Sequence, residues 1–96
     1  METWQYGLLY VTLARPPQGS ATEEYRVAFI DLAAGQTVVD VERLVILFDQ
    51  LGTDGWIIGQ PAPTKLPEWC AAEVLRRGLV YSPPDPVRYL IRRRLT

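Results

Sequence analysis

The segment WQYGLLYVTLA, Trp4 to Ala14, limits the possible folds more than any other part of the chain. Its aromatic and β-branched side chains predict a strand. Side chains alternate across a strand, so Trp4, Tyr6, Leu8 and Tyr10 share one face and Leu9, Val11 and Leu13 the other. Both faces are apolar, so both need cover, from helices of the same chain or from another protein. With 96 residues, the chain has room for one domain and one modest core.

The rest of the sequence supplies that cover in recognisable pieces. RPPQGS, residues 15–20, predicts a turn, and YRVAFIDL, residues 25–32, a second strand antiparallel to the first. AAGQ interrupts the pattern. In TVVDVERLVILFDQLG the apolar period then lengthens: Val41, Leu44, Val45, Leu47, Phe48 and Leu51 form a helical stripe, with Thr37 or Asp40 as the expected cap. Gly52 stands where a helix end favours a left-handed residue, and Gly55 allows a second change of direction before Trp56, Ile57 and Ile58 open a third strand. PAPTKLP reads as a connection, PEWCAAEVLRRG as a short second helix stopped at Gly78, SPPDP as a turn and VRYLIRRRL as the last strand. The expected fold is a single α+β domain over residues 1–96. It has an antiparallel sheet of three to four strands, one main helix packed on it, and a short second helix in a late insertion at 61–86.

The chain has no histidine and one cysteine, Cys70. The commonest metal ligand and neutral-pH proton shuttle are therefore missing, and Cys70 has neither an internal disulfide partner nor a histidine to activate it. The carboxylates Glu23, Glu24, Asp49, Asp54, Glu68 and Glu73 fall at positions expected to face solvent, without the pocket that acid–base chemistry requires. No metal site, cofactor or catalytic residue is expected. Ten basic and eleven acidic residues give a net charge of −1, which supplies no global field toward nucleic acid or membranes. The amino terminus lacks the pattern of a secretory leader and no apolar run is long enough to span a bilayer, so a cytoplasmic location is expected.

The glycines of LFDQLGTDGWIIG follow a helix, whereas a phosphate-binding loop opens one, so they are read as chain-turning architecture with Trp56 as an anchor. Near the carboxy terminus, Arg88, Arg92 and Arg94 share a strand face and Arg93 opposes them. A solvated edge strand accounts for that spacing most simply. The expected interaction residues are Trp4, Tyr6, Tyr10, Tyr25 and Trp69, together with Arg88, Arg92 and Arg94. A homo-oligomer, in the first place a dimer, is expected to cover the first strand's aromatic face unless the second helix does so. Ile46, apolar on the polar side of the main helix, adds a further point of contact.

Trp4-Gln5-Tyr6, the run Leu47, Leu51, Gly52, Gly55 and Trp56, and the basic end from Tyr89 to Leu95 together resemble a family of small bacterial and phage proteins known as a domain of unknown function. That family begins Trp-x-Tyr and carries a helix-to-strand Leu-Gly-x-x-Gly-Trp signature. The resemblance implies an antiparallel α+β fold and transfers no catalytic or cofactor residues. Ile57 and Ile58 depart from it, since the family usually continues Glu-Leu, and the 61–86 insertion is longer than the resemblance implies. The functional expectation is a non-catalytic accessory or interaction protein acting as a homo-oligomer. The alternative is a small-molecule binding protein or minor enzyme with a pocket between the sheet and the insertion. A weak nucleic-acid binder using the carboxy-terminal arginines ranks third.

Overall fold

In chain order the elements are β1 (Trp4–Arg15), β2 (Tyr25–Leu32), β3 (Gly35–Val41), α1 (Leu44–Thr53), β4 (Trp56–Pro63), α2 (Glu68–Arg76) and β5 (Val80–Arg94). They come from a computed structural model that describes residues 3–17 and 24–95, with Ser82, Pro83 and Pro84 described by backbone alone. Of the turn expected at residues 15–20, residues 18–20 lie outside the described part. The strands form one antiparallel sheet in the order β3-β2-β1-β5-β4, which places the apolar first strand at its centre. β5 changes register opposite Thr12: Val11 pairs with Val87 but Leu13 pairs with Ser82. The sheet therefore holds five strands, or six strand segments if the halves of β5 are counted apart.

The sheet exceeds the three to four strands expected because one segment adds a strand, and a second segment lengthens one already expected. TVVDV, read as the first turn of the main helix, is a strand that completes a tight hairpin with β2, from Leu32↔Gly35 to Arg26↔Val41. β-branched residues pack well on a pleated surface, and here Val39 and Val41 point to one face and Val38 to the other. Thr37 and Asp40 consequently do not cap the helix. Arg43 is the extended N-cap residue, with no side-chain cap bond. The proline-rich stretch continues β4 to Pro63, because an edge strand tolerates residues that cannot donate to a neighbour. A register break between Ile58 and Pro61 absorbs the misfit.

The two helices lie on opposite faces of the sheet. On one face Leu47 and Leu51 of α1 pack with Leu9, Val11, Ala28, Val41, Trp56 and Ile91, and Phe48 meets Tyr89 edge-on with ring centroids 5.3 Å apart. On the other, Cys70 and Val74 of α2 pack with Tyr10, Ala14, Val27 and Phe29, and Trp69 stands edge-on to Phe29 at 5.6 Å. The second helix thus supplies the internal cover that the sequence left open, for the part of the face above Tyr10. Glu73 fastens α2 to its own end, accepting from Arg76 Nε at 2.8 Å and Arg77 Nε at 3.2 Å, and Arg77 reaches across to Asp40 on β3. Those guanidinium hydrogen bonds, Arg76 first, hold the Glu73 carboxyl down to about 2. Among the described residues no helix is long and apolar enough to cross a membrane.

The junction from α1 to β4 departs from the expectation in one detail. Gly52 lies inside the helix, and the left-handed residue is Gly55, at φ +89°. The Asp54 amide donates to Gln50 O at 3.2 Å and the Gly55 amide to Gly52 O at 2.9 Å, so the helix closes on its own carbonyls. A Cβ at Gly52 would meet nothing within 4 Å. Gly52→Ala is therefore expected to stabilise the protein by about 0.5–1 kcal/mol, by restricting the unfolded chain. Gly55→Ala is expected to cost about 1–2 kcal/mol for a left-handed backbone. Urea unfolding of both variants checks this, and equal effects at the two positions would contradict the assignment.

Candidate interaction face

α2 has nine residues and β1 twelve. A helix advances about 1.5 Å per residue and a strand about 3.3 Å, so α2 is roughly 13 Å long over a strand of about 40 Å. Its contacts run from Tyr10 to Ala14 and across to Phe29 and Val38, with Leu8 partly buried at their margin. The remainder of that face, toward the start of β1 and the end of β5, lies beyond them.

The β1–β5 register fixes what this bare half presents. Trp4 pairs with Arg94, Tyr6 with Arg92, Leu8 with Leu90 and Tyr10 with Arg88. Ile57 of β4 extends the Tyr6–Arg92 row on the outer side. Paired residues share a face, so one surface carries an aromatic strand beside an arginine strand. Tyr6 is 55% exposed, Leu90 53% and Ile57 50%. The Arg92 guanidinium lies 4.7 Å from the centre of the Trp4 ring, in cation–π contact. Asp31 borders the patch next to Leu8.

The interaction residues expected from sequence do not all lie on this half. Trp4, Tyr6, Arg92 and Arg94 do. Arg88 continues the arginine row toward α2 and is exposed, whereas Tyr10 beside it is buried beneath α2 and its hydroxyl is pushed up, chiefly by that burial. Trp69 is half-buried against Phe29 as part of α2's anchor. Tyr25 is exposed at the far end of β2, beside Asp40, Arg77 and Leu79. Sequence reasoning missed Leu90 and Ile57. Their only signal was an apolar residue alternating with arginines or following Trp56, and which face each would occupy depended on strand pairing.

Arg93 takes no part in this surface. It lies on the α1 face, where its Nε donates to Gln5 Oε1 at 2.8 Å, one Nη to Asp54 O at 3.4 Å, and its guanidinium stands 4.7 Å from the centre of the Trp56 ring. The loop after α1 is thus tied down by a cation on its carbonyl, while the amides of Asp54 and Gly55 are spent on the helix. Trp56 is 8% exposed and belongs to the core. These contacts agree with the architectural reading of the glycine segment.

A second concavity lies within the 61–86 insertion. Pro63, Thr64, Lys65, Leu66, Tyr81 and Asp85 are among the residues lining an open groove of about 770 Å³. Cys70 lies nearby but is fully buried, and burial, with a further contribution from Asp31, pushes its thiol up to about 12. At pH 8 the thiolate fraction would be about one in ten thousand, too little for a nucleophile. Cys70 is accordingly expected to resist a disulfide reagent in the native protein and to react fully in urea. Rapid native labelling at pH 8 would contradict the buried placement. The comparisons with protein-family models, curated proteins and solved structures returned no match.

Proposed function

We propose that the protein is a non-catalytic interaction protein that presents the bare half of its sheet to a partner and self-associates along the free edge of β3. The half-face of exposed Tyr6, Leu90 and Ile57 set beside arginines is the observation that carries this reading. Exposed apolar side chains that are contiguous and bordered by charge mark contact surfaces more often than isolated ones do.

Self-association is favoured at β3 because the two sheet edges differ. β4 carries Pro61 and Pro63, which have no N–H to offer a neighbour, and its register is broken. β3, GQTVVDV, has no proline. Beside it, Ile46 and Val45 of α1 are 43% and 50% exposed, and Ile46 lines a groove with Val39 to Arg43. Two copies pairing β3 antiparallel would be related by a twofold axis normal to the sheet, with both bare halves on the same side. The groove in the insertion supports the alternative of a small-molecule site, since its volume falls in the usual ligand range, although it is open along its length.

Light scattering over a range of concentrations tests the self-association. The mass is expected to rise toward a dimer, and Thr37→Lys, an exposed edge substitution, to hold it at the monomer while changing stability by no more than about 0.5 kcal/mol. A strict monomer at every concentration would remove the oligomeric part of the proposal and leave the bare half to be judged separately.

A further inference from the structure

We infer that the bare half of the sheet, with the arginine row that continues toward α2, binds single-stranded nucleic acid, with bases stacking on Tyr6 and on the Trp4–Arg92 pair and phosphates neutralised by Arg88 and Arg92. This deepens the interaction reading and rests on the same surface. Arg88 and Arg92 stand on one face of β5 four residues apart, about 13 Å along the strand, and Arg94 two residues further, in a protein whose total charge is −1. Positive charge is therefore concentrated locally. Among the described residues neither Arg88 nor Arg92 lies within salt-bridge distance of a carboxylate, while the cations of α2 are paired, Arg76 with Glu73 and Arg77 with Glu73 and Asp40.

Charge also separates the possible occupants. A second copy laid face to face would add a second set of arginines to the same interface and, of carboxylates, the bordering Asp31, so charge favours a polyanion over a second copy. Among polyanions, the exposed Tyr6 ring and the Arg92 guanidinium plane over the half-buried Trp4 favour one whose charged groups alternate with flat, stackable ones, which is the chemistry of a single strand. Among the described residues the half of this face beyond α2 is open sheet, with no helix or loop set to enter a duplex groove, so unpaired bases suit it better than a double helix. The sequence alone ranked nucleic acid low because Trp4 and Tyr6 stand at one end of the chain and the arginines at the other. Only the β1–β5 register places them side by side.

Fluorescence anisotropy of the full chain with a labelled oligothymidylate of about 12 nucleotides tests this, the length being that of a typical single-strand site. Binding is expected to weaken with a log–log salt slope of about −1.4, from about −0.7 for each of the two phosphates that Arg88 and Arg92 neutralise. Arg92→Gln should lower both affinity and slope. Tyr6→Ser should lower affinity about fivefold or more with the slope unchanged, as loss of stacking requires. Arg76→Gln, on the outer side of α2, should leave both as they were, and circular dichroism should show all three variants folded. No binding at low salt would overturn the inference, as would equal or tighter binding of a duplex or of a polyglutamate peptide, or equal losses for Arg92→Gln and Arg76→Gln. Self-association through β3 is read without any oligonucleotide, so failure here leaves that result standing.

Discussion

The pairing of β1 with β5 is the constraint on which the rest depends. β1 is apolar on both sides and must be flanked and covered, and its neighbour β5 carries the apolar run Tyr89-Leu90-Ile91 followed by Arg92, Arg93 and Arg94. Because strand side chains have a period of two, one register sends Ile91 and Tyr89 to the α1 core and Arg92 and Leu90 to the other face. Gly7 helps to fix that choice. A Cβ there would run into Leu32 Cδ2 and lie 3.2 Å from the Asp31 carbonyl oxygen and 3.3 Å from Ile91 Cγ1, so Leu32 and its neighbours would have to shift for a side chain at this point of β1. Arg93 follows the same alternation and becomes a strap across Trp56 and the loop after α1.

The bare half then follows from lengths. Among the described residues there are two short helices, and a sheet with strands of twelve and fifteen residues is longer than either. α1 ends in a loop that turns back into β4 and closes its face with Trp56. α2 is held at one end of the other face by Trp69 on Phe29 and by Arg77 on Asp40, so it cannot slide to cover Tyr6 and Leu90 without losing both contacts. The uncovered surface is what remains when short helices are anchored at fixed points on a long sheet.

Much of the architecture was legible in the sequence. Alternation over Trp4–Ala14 and Tyr25–Leu32, the stripe from Leu44 to Leu51 and the run Glu68–Arg76 each carry a local period or a stop signal, and the structure forms strand or helix at each of them. Residues 37–41 were misread because Val41 fits the helical stripe as well as a strand, and the deciding partner, β2, is chosen by the hairpin turn before Gly35. Proline was taken to end β4, a rule for interior strands that an edge relaxes. For the candidate face, the sequence placed Trp4 and Tyr6 on one side of β1 and Arg88, Arg92 and Arg94 on one side of β5. It held no information about which sides coincide, since that is a property of pairing between segments at opposite ends of the chain.

Interstrand NOEs between β1 and β5 test the central claim most directly. The account predicts backbone cross-peaks that join Tyr6 with Arg92 and Leu8 with Leu90, with Arg93 side-chain resonances shifted by the Trp56 ring. Hα–Hα or HN–HN cross-peaks joining Tyr6 with Ile91 or Arg93 in place of Arg92 would mean a slip of one residue. Arg92 would then turn toward α1, and the surface that pairs aromatic rings with arginines would not exist.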